Sequence, residues 1–383
     1  MDMSSTHQHK TCYPKAVVEY PLPAAGMTHE LAQVVGQNML IISQMDDSML
    51  LKVAIEPASG KPQAVAGFSI GSMSDGLHGV VASKVYPGQV WCTFQFANKL
   101  VRIDPGTGLE TKPVVKQEIP IPAPGRGPHG IIEEGQNVWT TLKDSAHVLR
   151  INHTNPADYT LCPAQRKPIF VARHPTSGLF YASQDQSSQI LCMDQHGKAI
   201  SSTLIPTTEG ATPVGLVPGP DGNIWFTLLN APGTFGRIDG KGQYTWFHLT
   251  SALGKAAALL HLNFDPNPPG KLPRLFLLSS SITNPNALNA VFAVTLDNNY
   301  SSIDTQQTFV MPTQSSKVHR VLPAFGGLYV SELTVSLLAH IPLPPRAAET
   351  ETGVDEASDY YSMMGLGVDT QLIRYVSHHI RNG

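Results

Sequence analysis

Hydrophobic positions along the chain fall in short runs separated by turn-forming residues, a pattern typical of β-strands. The clearest stretch reads PVGLVPGPDGNIWFT over residues 213–227, followed by FGRID over 235–239 and YTWF over 244–247. The turn at 220–222 is Pro-Asp-Gly, in which proline fixes φ and glycine accepts a positive φ. This stretch predicts four short strands joined by tight turns.

Weaker copies of the same unit recur along the chain. The equivalent positions of the first strand are residues 29, 78, 129, 169, 214, 261 and 319, with steps of 40 to 58 residues. That spacing, with four strands in each unit, predicts a β-propeller with one unit in each blade. An open all-β solenoid is the alternative.

The last unit has only three strands and then runs into prolines at 342, 344 and 345. Val17–Tyr20 resembles an outer strand, and its pairing with the last blade would remove both free sheet edges. The expected fold is an all-β, seven-bladed β-propeller over residues 15–345, closed by an N-terminal strand.

The two ends of the chain fall outside this propeller. Residues 1–14 are expected to form an N-terminal tail, and residues 346–383 a short C-terminal extension. Its first part is acidic and reads as a linker. Beyond it, apolar residues at spacings that suit a helix predict a short C-terminal helix, with a frayed tail as the alternative; they are Leu366, Leu372, Ile373 and Val376.

Charge and composition exclude several partners. A net charge of −3 provides no basic surface, so nucleic acid is not an expected partner. No apolar run is long enough to span a membrane, and the first residues lack the apolar core of a secretory signal. The four cysteines have no C-x-x-C spacing, so free thiols and a cytoplasmic location are expected.

Histidine is the residue type that points to chemistry. Five of the fifteen histidines are assigned to one repeat position, at the start of the first strand, which lines the central channel of a propeller; they are His29, His78, His129, His261 and His319. They are expected to converge at one mouth of the channel, as acid/base groups or metal ligands. The alternative is that they only bridge neighbouring blades by hydrogen bonds.

Other motifs narrow the chemistry further. Few carboxylates accompany the histidines (Glu30, Glu332, Asp144 and Asp185), so a Mg²⁺ site is not required by the sequence and no metal or cofactor is predicted. No nucleophile elbow, phosphate loop or dinucleotide fingerprint occurs. Apolar side chains at the ends of second strands are expected to line the funnel and contact substrate: Phe94, Leu142, Leu228, Leu229 and Leu333.

The blade motif resembles that of the streptogramin B lyases, also called virginiamycin B lyases. The resemblance rests on Pro213-Val-Gly-Leu, on residues 219–227 (GPDGNIWFT) and on Phe235-Gly-Arg-Ile. It implies a seven-bladed propeller that linearises cyclic depsipeptide antibiotics by elimination with Mg²⁺. The implied catalytic site lies at one mouth of the funnel, on the last two blades.

The resemblance also implies site residues. The two family histidines correspond to His261 and His319, and one family glutamate corresponds to or lies beside Glu332. A second family glutamate is replaced by Lys317, whose charge could take the place of the cation. The predicted catalytic residues are therefore His261, His319, Lys317 and Glu332, with His29, His78, His129, Phe94, Leu142 and Leu228 binding the substrate.

These observations favour a non-hydrolytic enzyme of natural-product metabolism that uses histidine acid/base chemistry on a small molecule. A lyase, cyclase or isomerase would fit. Two alternatives stay open: a lyase that inactivates streptogramin-type antibiotics, and a non-catalytic propeller that binds a ligand or a protein.

Overall fold

Seven sheets form the protein in the computed structural model, which describes residues 17–205, 212–265, 273–343 and 374–378. Strands of the first three sheets are β2 (Thr28–Gln33), β3 (Met39–Gln44), β4 (Met49–Ile55), β5 (Pro62–Ser69), β6 (Leu77–Ala82), β7 (Val90–Phe94), β8 (Lys99–Asp104), β9 (Val114–Pro120), β10 (Pro128–Glu134), β11 (Asn137–Leu142), β12 (His147–Asn152) and β13 (Tyr159–Pro163).

The next three sheets contain β14 (Pro168–Arg173), β15 (Phe180–Gln184), β16 (Gln189–Met193), β17 (Ala199–Leu204), β18 (Pro213–Pro218), β19 (Ile224–Leu228), β20 (Thr234–Ile238), β21 (Tyr244–His248), β22 (Leu259–Phe264), β23 (Arg274–Ser279), β24 (Ala290–Leu296) and β25 (Ile303–Val310). The seventh comprises β26 (Val318–Ala324), β27 (Gly327–Glu332), β28 (Leu337–Pro342) and β1 (Val18–Pro21). Short 3₁₀ segments lie at Met73–Asp75, Asp185–Ser187 and Gly254–Ala256.

The sheets are the seven blades of a closed propeller. Their inner strands contact one another around a complete circle, in the order β26, β2, β6, β10, β14, β18, β22 and back to β26. Strand β1 pairs antiparallel with β28, so Val18 lies opposite His340 and Tyr20 opposite Leu338. The predicted seven-bladed fold and its closure by an N-terminal strand are both confirmed.

Large apolar side chains fill the spaces between blades. Trp91, Trp139 and Trp225 are almost wholly buried there, on faces that neighbouring sheets share. Each sheet alone would leave both faces in water, so closure of the ring is what buries them. Within the described ranges, the chain contains no helix with the length and hydrophobicity needed to cross a bilayer.

A second seam between blades is polar and follows the repeat. One Ser or Thr near the end of the second strand accepts the N–H of its own inner strand and donates to a carbonyl of the next blade. Thr141 accepts from Gly130 N at 2.9 Å and donates to Ile169 O at 2.9 Å. The same position is occupied by Ser43, Thr93, Ser183, Thr227 and Ser331.

Thr141→Val keeps the shape of this seam but leaves Gly130 N–H without its acceptor and removes one of the two hydrogen-bonding partners of Ile169 O. Because both groups are buried, we expect a loss of about 1–3 kcal/mol in the free energy of unfolding, measured by urea denaturation. Thr154→Val, on an exposed turn, is the matched control. Equal free energies of unfolding for the two variants would show that the hydroxyl of Thr141 does not stabilise the fold.

Outside the propeller, the structure describes only Arg374–His378, which form β29 parallel to β5. The predicted C-terminal helix therefore lies mostly outside the described residues, and where it reaches them, at Val376, the chain is a strand. Backbone pairing with the free edge of β5 favours the extended conformation there. The N-terminal tail and residues 346–373 also lie outside the described residues.

Candidate functional site

A β-bulge at the start of every inner strand shapes the channel. In each of the seven pairs of inner and second strand, the register shifts by one residue at this point. A bulge of this kind re-aims a side chain that would otherwise follow the pleat. The bulged residue is His29 in the first blade, His78 in the second, His129 in the third and His319 in the last.

The other three blades carry apolar residues at the bulge, namely Ile169, Val214 and Leu260. The assignment of His261 to this position is wrong, because Thr227 donates to Leu260 O where the corresponding hydroxyls of other blades donate to His29 O or His129 O. His261 lies one residue further along its strand. The sequence around it, Leu-Leu-His-Leu, offers two adjacent candidates for one bulge position.

Four imidazoles form a continuous arc on four consecutive blades. Ring centroids are 4.5 Å apart between His319 and His29, 4.2 Å between His29 and His78, and 4.0 Å between His78 and His129. All four side chains are buried. The predicted convergence of histidines therefore occurs, with four members in the arc and His261 beside it.

The apolar residues Ile169, Val214 and Leu260 complete the circle and pack in one cluster with Leu229 and Ala258. The channel at this level is thus divided into an imidazole arc and an apolar arc. A molecule seated here would meet hydrogen-bonding groups on one side and aliphatic groups on the other.

Several ring nitrogens of the imidazole arc have no hydrogen-bond partner among the described residues. His29 has no partner at either ring nitrogen, and the Nδ1 atoms of His78 and His319 have none among the described residues. Only His129 has a protein partner at Nδ1, the carbonyl of Ile169 at 3.3 Å. Buried polar atoms without a partner are uncommon in proteins, and each needs an explanation such as a ligand or a solvent molecule.

Burial keeps these imidazoles neutral. It lowers the pKa of His29 to about 3, with further lowering by the Arg320 and Lys143 cations. The pKa values of His78, His129 and His319 also lie well below the usual value, first because of burial and then because of neighbouring imidazoles and cations. At neutral pH each ring is therefore both a hydrogen-bond donor and an acceptor.

A second layer of side chains lies one residue further along the inner strands. Glycines occupy this level at positions 79, 130 and 215, where a Cβ would approach within 3 Å of the next blade. The remaining blades fill it with Glu30, Phe170, His261 and Arg320. Arg320 donates from Nε to Glu30 Oε1 at 2.7 Å and from Nη1 to His319 O at 2.8 Å, and its guanidinium lies 4.5 Å from the Phe170 ring.

His261 belongs to this layer and differs from the arc. Its Nδ1 accepts the N–H of Val321 at 3.4 Å, which places the proton of the neutral ring on Nε2. Burial, then Arg320, lowers its pKa well below the usual value. The ring lies 5.7 Å from Phe170. In the blade of His261, Leu278 occupies the position of the seam hydroxyl and cannot donate to the carbonyl of the next blade. Arg320 donates to that carbonyl, His319 O, instead.

Two of the residues that the resemblance singles out make no hydrogen bond or ion pair with the imidazoles within the described residues. Lys317 is exposed, has a φ of 50° in the left-handed region, and does not contribute to the lowered pKa of His319. Glu332 is buried beside Glu19 and Ser316, and burial followed by the Glu19 carboxylate raises its pKa to about 9. Glu19 in turn accepts from Thr313 N at 2.8 Å.

The apolar residues expected to line the funnel are also placed elsewhere. Phe94, Leu142 and Leu228 have no exposed surface and pack between blades, because they alternate with the seam hydroxyls and point to the opposite face of the sheet. Leu229 does join the apolar arc. Leu333 is buried and directly follows β27.

Lys143 is a candidate functional group that sequence reasoning missed. It follows the second strand of the third blade, is half-buried, and lowers the pKa of both His29 and His129. Burial, then Lys167, lowers its own pKa, while Asp144 and Asp185 act in the opposite direction. The sequence could have indicated Lys143, because it directly follows a second strand that ends near the channel.

The residues that the structure describes do not fit a Mg²⁺ site. Among the described residues, no group of three or more His, Cys, Asp or Glu side chains is arranged to hold a metal ion. Lys317, at the position that the resemblance equates with a family glutamate, is exposed, and Glu332 faces another carboxylate. Separately, Cys92, Cys162 and Cys192 are free and buried, so they offer no accessible thiolate, whereas Cys12 lies outside the described residues.

Comparisons agree with this geometry at the level of the fold. Residues 114–262 match the virginiamycin B lyase family. The solved structure of a streptogramin B lyase covers 86% of this chain and 97% of its own, with a TM-score of 0.68 and 18% identity. A catalytically inactive histidine-to-alanine variant of virginiamycin B lyase from Staphylococcus aureus, with quinupristin, covers 86% and 99%, with a TM-score of 0.67 and 18% identity.

A further similar structure is that of YCF48 bound to D1 peptide, with a TM-score of 0.59 and 13% identity over 86% of this chain and 96% of that one. No curated protein is significantly similar in sequence. At these identities the structural likeness shows the fold and leaves the activity open. The chain is thus a seven-bladed β-propeller with the fold of streptogramin B lyase, and its residues 114–262 match the virginiamycin B lyase family.

Proposed function

We propose that the protein is a non-hydrolytic enzyme, a lyase, cyclase or isomerase, that acts on a small, partly apolar natural product at the imidazole arc. The observation that carries the proposal is the set of unpartnered nitrogens on His29, His78 and His319, which lie opposite the apolar arc. These nitrogens lie at one level of the channel and are available to a bound molecule, whereas burial of each without any partner would cost about 1–3 kcal/mol.

The chemistry best suited to this site is proton transfer next to a carbonyl. A neutral imidazole N–H can donate to a carbonyl oxygen and strengthen that bond as the oxygen becomes an enolate. Lys143 and Arg320 lie close enough to His29 to lower its pKa, and the same cations would stabilise the oxyanion. In this proposal Lys143 takes the charge-stabilising role that the sequence assigned to Lys317.

The proton acceptor is His319 or His29. Each has an unpartnered nitrogen, and an oxyanion bound on the arc would raise the pKa of the imidazole beside it, which makes that ring a better base in the complex than in the free enzyme. His261 would hold the Arg320 layer in place beneath the arc. Inactivation of a streptogramin-type antibiotic is the narrower form of the same proposal, since relatives of this fold include a lyase structure with quinupristin.

The proposal predicts a product of unchanged mass. Elimination within a ring, cyclisation and isomerisation all conserve mass, whereas hydrolysis adds one water. We expect incubation with quinupristin, or with a panel of cyclic depsipeptides and other carbonyl-bearing metabolites, to give an isobaric product with a new retention time. Because the arc uses imidazoles and cations, turnover should survive exhaustive EDTA treatment.

Two outcomes would count against this. A product heavier by one water would indicate a hydrolase, and complete loss of turnover in EDTA with recovery in Mg²⁺ would show that a metal site was overlooked. If no compound in the panel reacts yet some bind at the arc, the ligand-binding propeller is the better account.

A further inference from the structure

Beneath the imidazole arc, the channel holds a separate cavity of about 240 Å³. Its walls come from residues that follow the bulge on four inner strands, namely Val80, Ile131, Val171 and Leu216. It extends to Glu134 and Arg173 at the far ends of β10 and β14. The cavity therefore lies on the opposite side of the arc from the loops that precede the inner strands.

Two polar side chains stand at the inner end of this largely aliphatic space, Glu30 and His261. Glu30 Oε1 receives both hydrogen bonds from Arg320, so Oε2 has no partner among the described residues. His261 uses Nδ1 to accept from Val321 N–H, and its Nε2–H makes no hydrogen bond within the described chain. The inner end thus presents one free acceptor and one free donor.

Charge at this end is balanced. The Glu30 carboxylate is paired with Arg320, whose side chain is only 3% exposed. A ligand with a full charge at this inner end would have to leave water without a free counter-charge, because Lys84, Glu134 and Arg173 line the outer part of the cavity. Burial of that charge beside the apolar side chains would be costly. A neutral hydroxyl avoids this cost, because it can donate to Glu30 Oε2 and accept from His261 Nε2–H.

We propose that this cavity is a second binding site, for a small neutral alcohol or phenol with an apolar body. The hydroxyl would lie at the Glu30 and His261 end, and the body would contact the aliphatic walls and Phe170. Glu30 also holds Arg320 of the proposed enzymatic site, and His261 holds the adjacent Val321, but the contacts to the hydroxyl involve neither the imidazole arc nor Lys143.

The first test uses two probes that differ in one donor. We expect p-cresol to bind about tenfold more tightly than 4-methylanisole in isothermal titration calorimetry, because only the phenol can donate to the Glu30 carboxylate. Benzoate and benzylammonium should bind more weakly than p-cresol. Equal affinities for the phenol and its methyl ether, or no binding of either, would overturn the proposal, and this comparison requires no variant.

The second test compares one substitution at two depths. Glu30→Gln should weaken p-cresol binding about tenfold, whereas Glu134→Gln, at the rim of the same cavity, should change it less than twofold. Circular dichroism melting checks that Arg320 tolerates the first change; if it does not, the probe pair alone decides. Because His319→Ala tests the imidazole arc separately, loss of activity and loss of p-cresol binding can be told apart.

Discussion

Replacement of His319 by alanine is expected to lower kcat by about 10²–10⁴-fold on the compound that gives an isobaric product, the usual contribution of a positioned acid or base. His319 has an unpartnered Nδ1, a ring centroid 4.5 Å from His29, and a backbone carbonyl that holds Arg320. The substitution removes the imidazole and leaves that carbonyl in place. KM should change much less than kcat.

The matched control is His340→Ala. His340 is equally buried, stacks on Tyr329 with ring centroids 5.0 Å apart in the sheet of the last blade, and has its pKa lowered to about 4 by burial. The His340→Ala variant therefore loses a neutral, buried imidazole that does not belong to the arc. Rates within threefold of wild type for a folded His319→Ala protein would show that the arc is structural. Since burial already keeps the arc neutral in the free enzyme, kcat/KM of the wild type should not fall between pH 8 and pH 5.

Replacement of Glu332 by glutamine is expected to stabilise the protein, and increasingly so as the pH rises. Burial and the Glu19 carboxylate raise the pKa of Glu332 to about 9, so the folded protein retains a proton that the unfolded chain releases above a pKa of about 4.3. Its contribution to stability is complete below that lower value and is lost as the pH rises toward 9. Glutamine does not titrate, and its amide can donate to Glu19.

The expected gain in the free energy of unfolding is about 3 kcal/mol at pH 9, smaller at pH 7 and absent at pH 4, from roughly 1.4 kcal/mol per pH unit reduced for structural relaxation. Urea denaturation at the three pH values measures it. Glu134→Gln, on a partly exposed ion pair with Lys84, provides the control. A difference in stability between variant and wild type that does not change from pH 4 to pH 9 would contradict a raised pKa of Glu332 in the folded protein.

The fold could be predicted from the sequence because each blade repeats the same strands and turns. Closure by Val18–Pro21 followed from the missing fourth strand of the last copy. The convergence of His29, His78, His129 and His319 followed from the same repeat, since equivalent residues of a closed ring meet at its axis.

Side-chain direction within the repeat could not be predicted in the same way. A bulge holds one extra residue, so alignment by eye placed His261 where Leu260 stands, and a displacement of one residue moves a side chain into another layer. Strand alternation likewise turned Phe94 and Leu142 into the spaces between blades. The contact between Arg320 and Glu30 joins the last and first blades, and no local sequence pattern predicts it.

The circle of seven sheets is joined by a strand from the beginning of the described chain and three strands from near its end. During synthesis the segment Val18–Pro21 emerges long before its partner β28, so its backbone groups remain unpaired while six other sheets are made. Pairing over such a long sequence separation is slow, because the entropy of closing the loop is lost before any contact forms. Pairing of β1 with β28 therefore also completes the imidazole arc, since His319 and His29 belong to the two blades that meet at this joint.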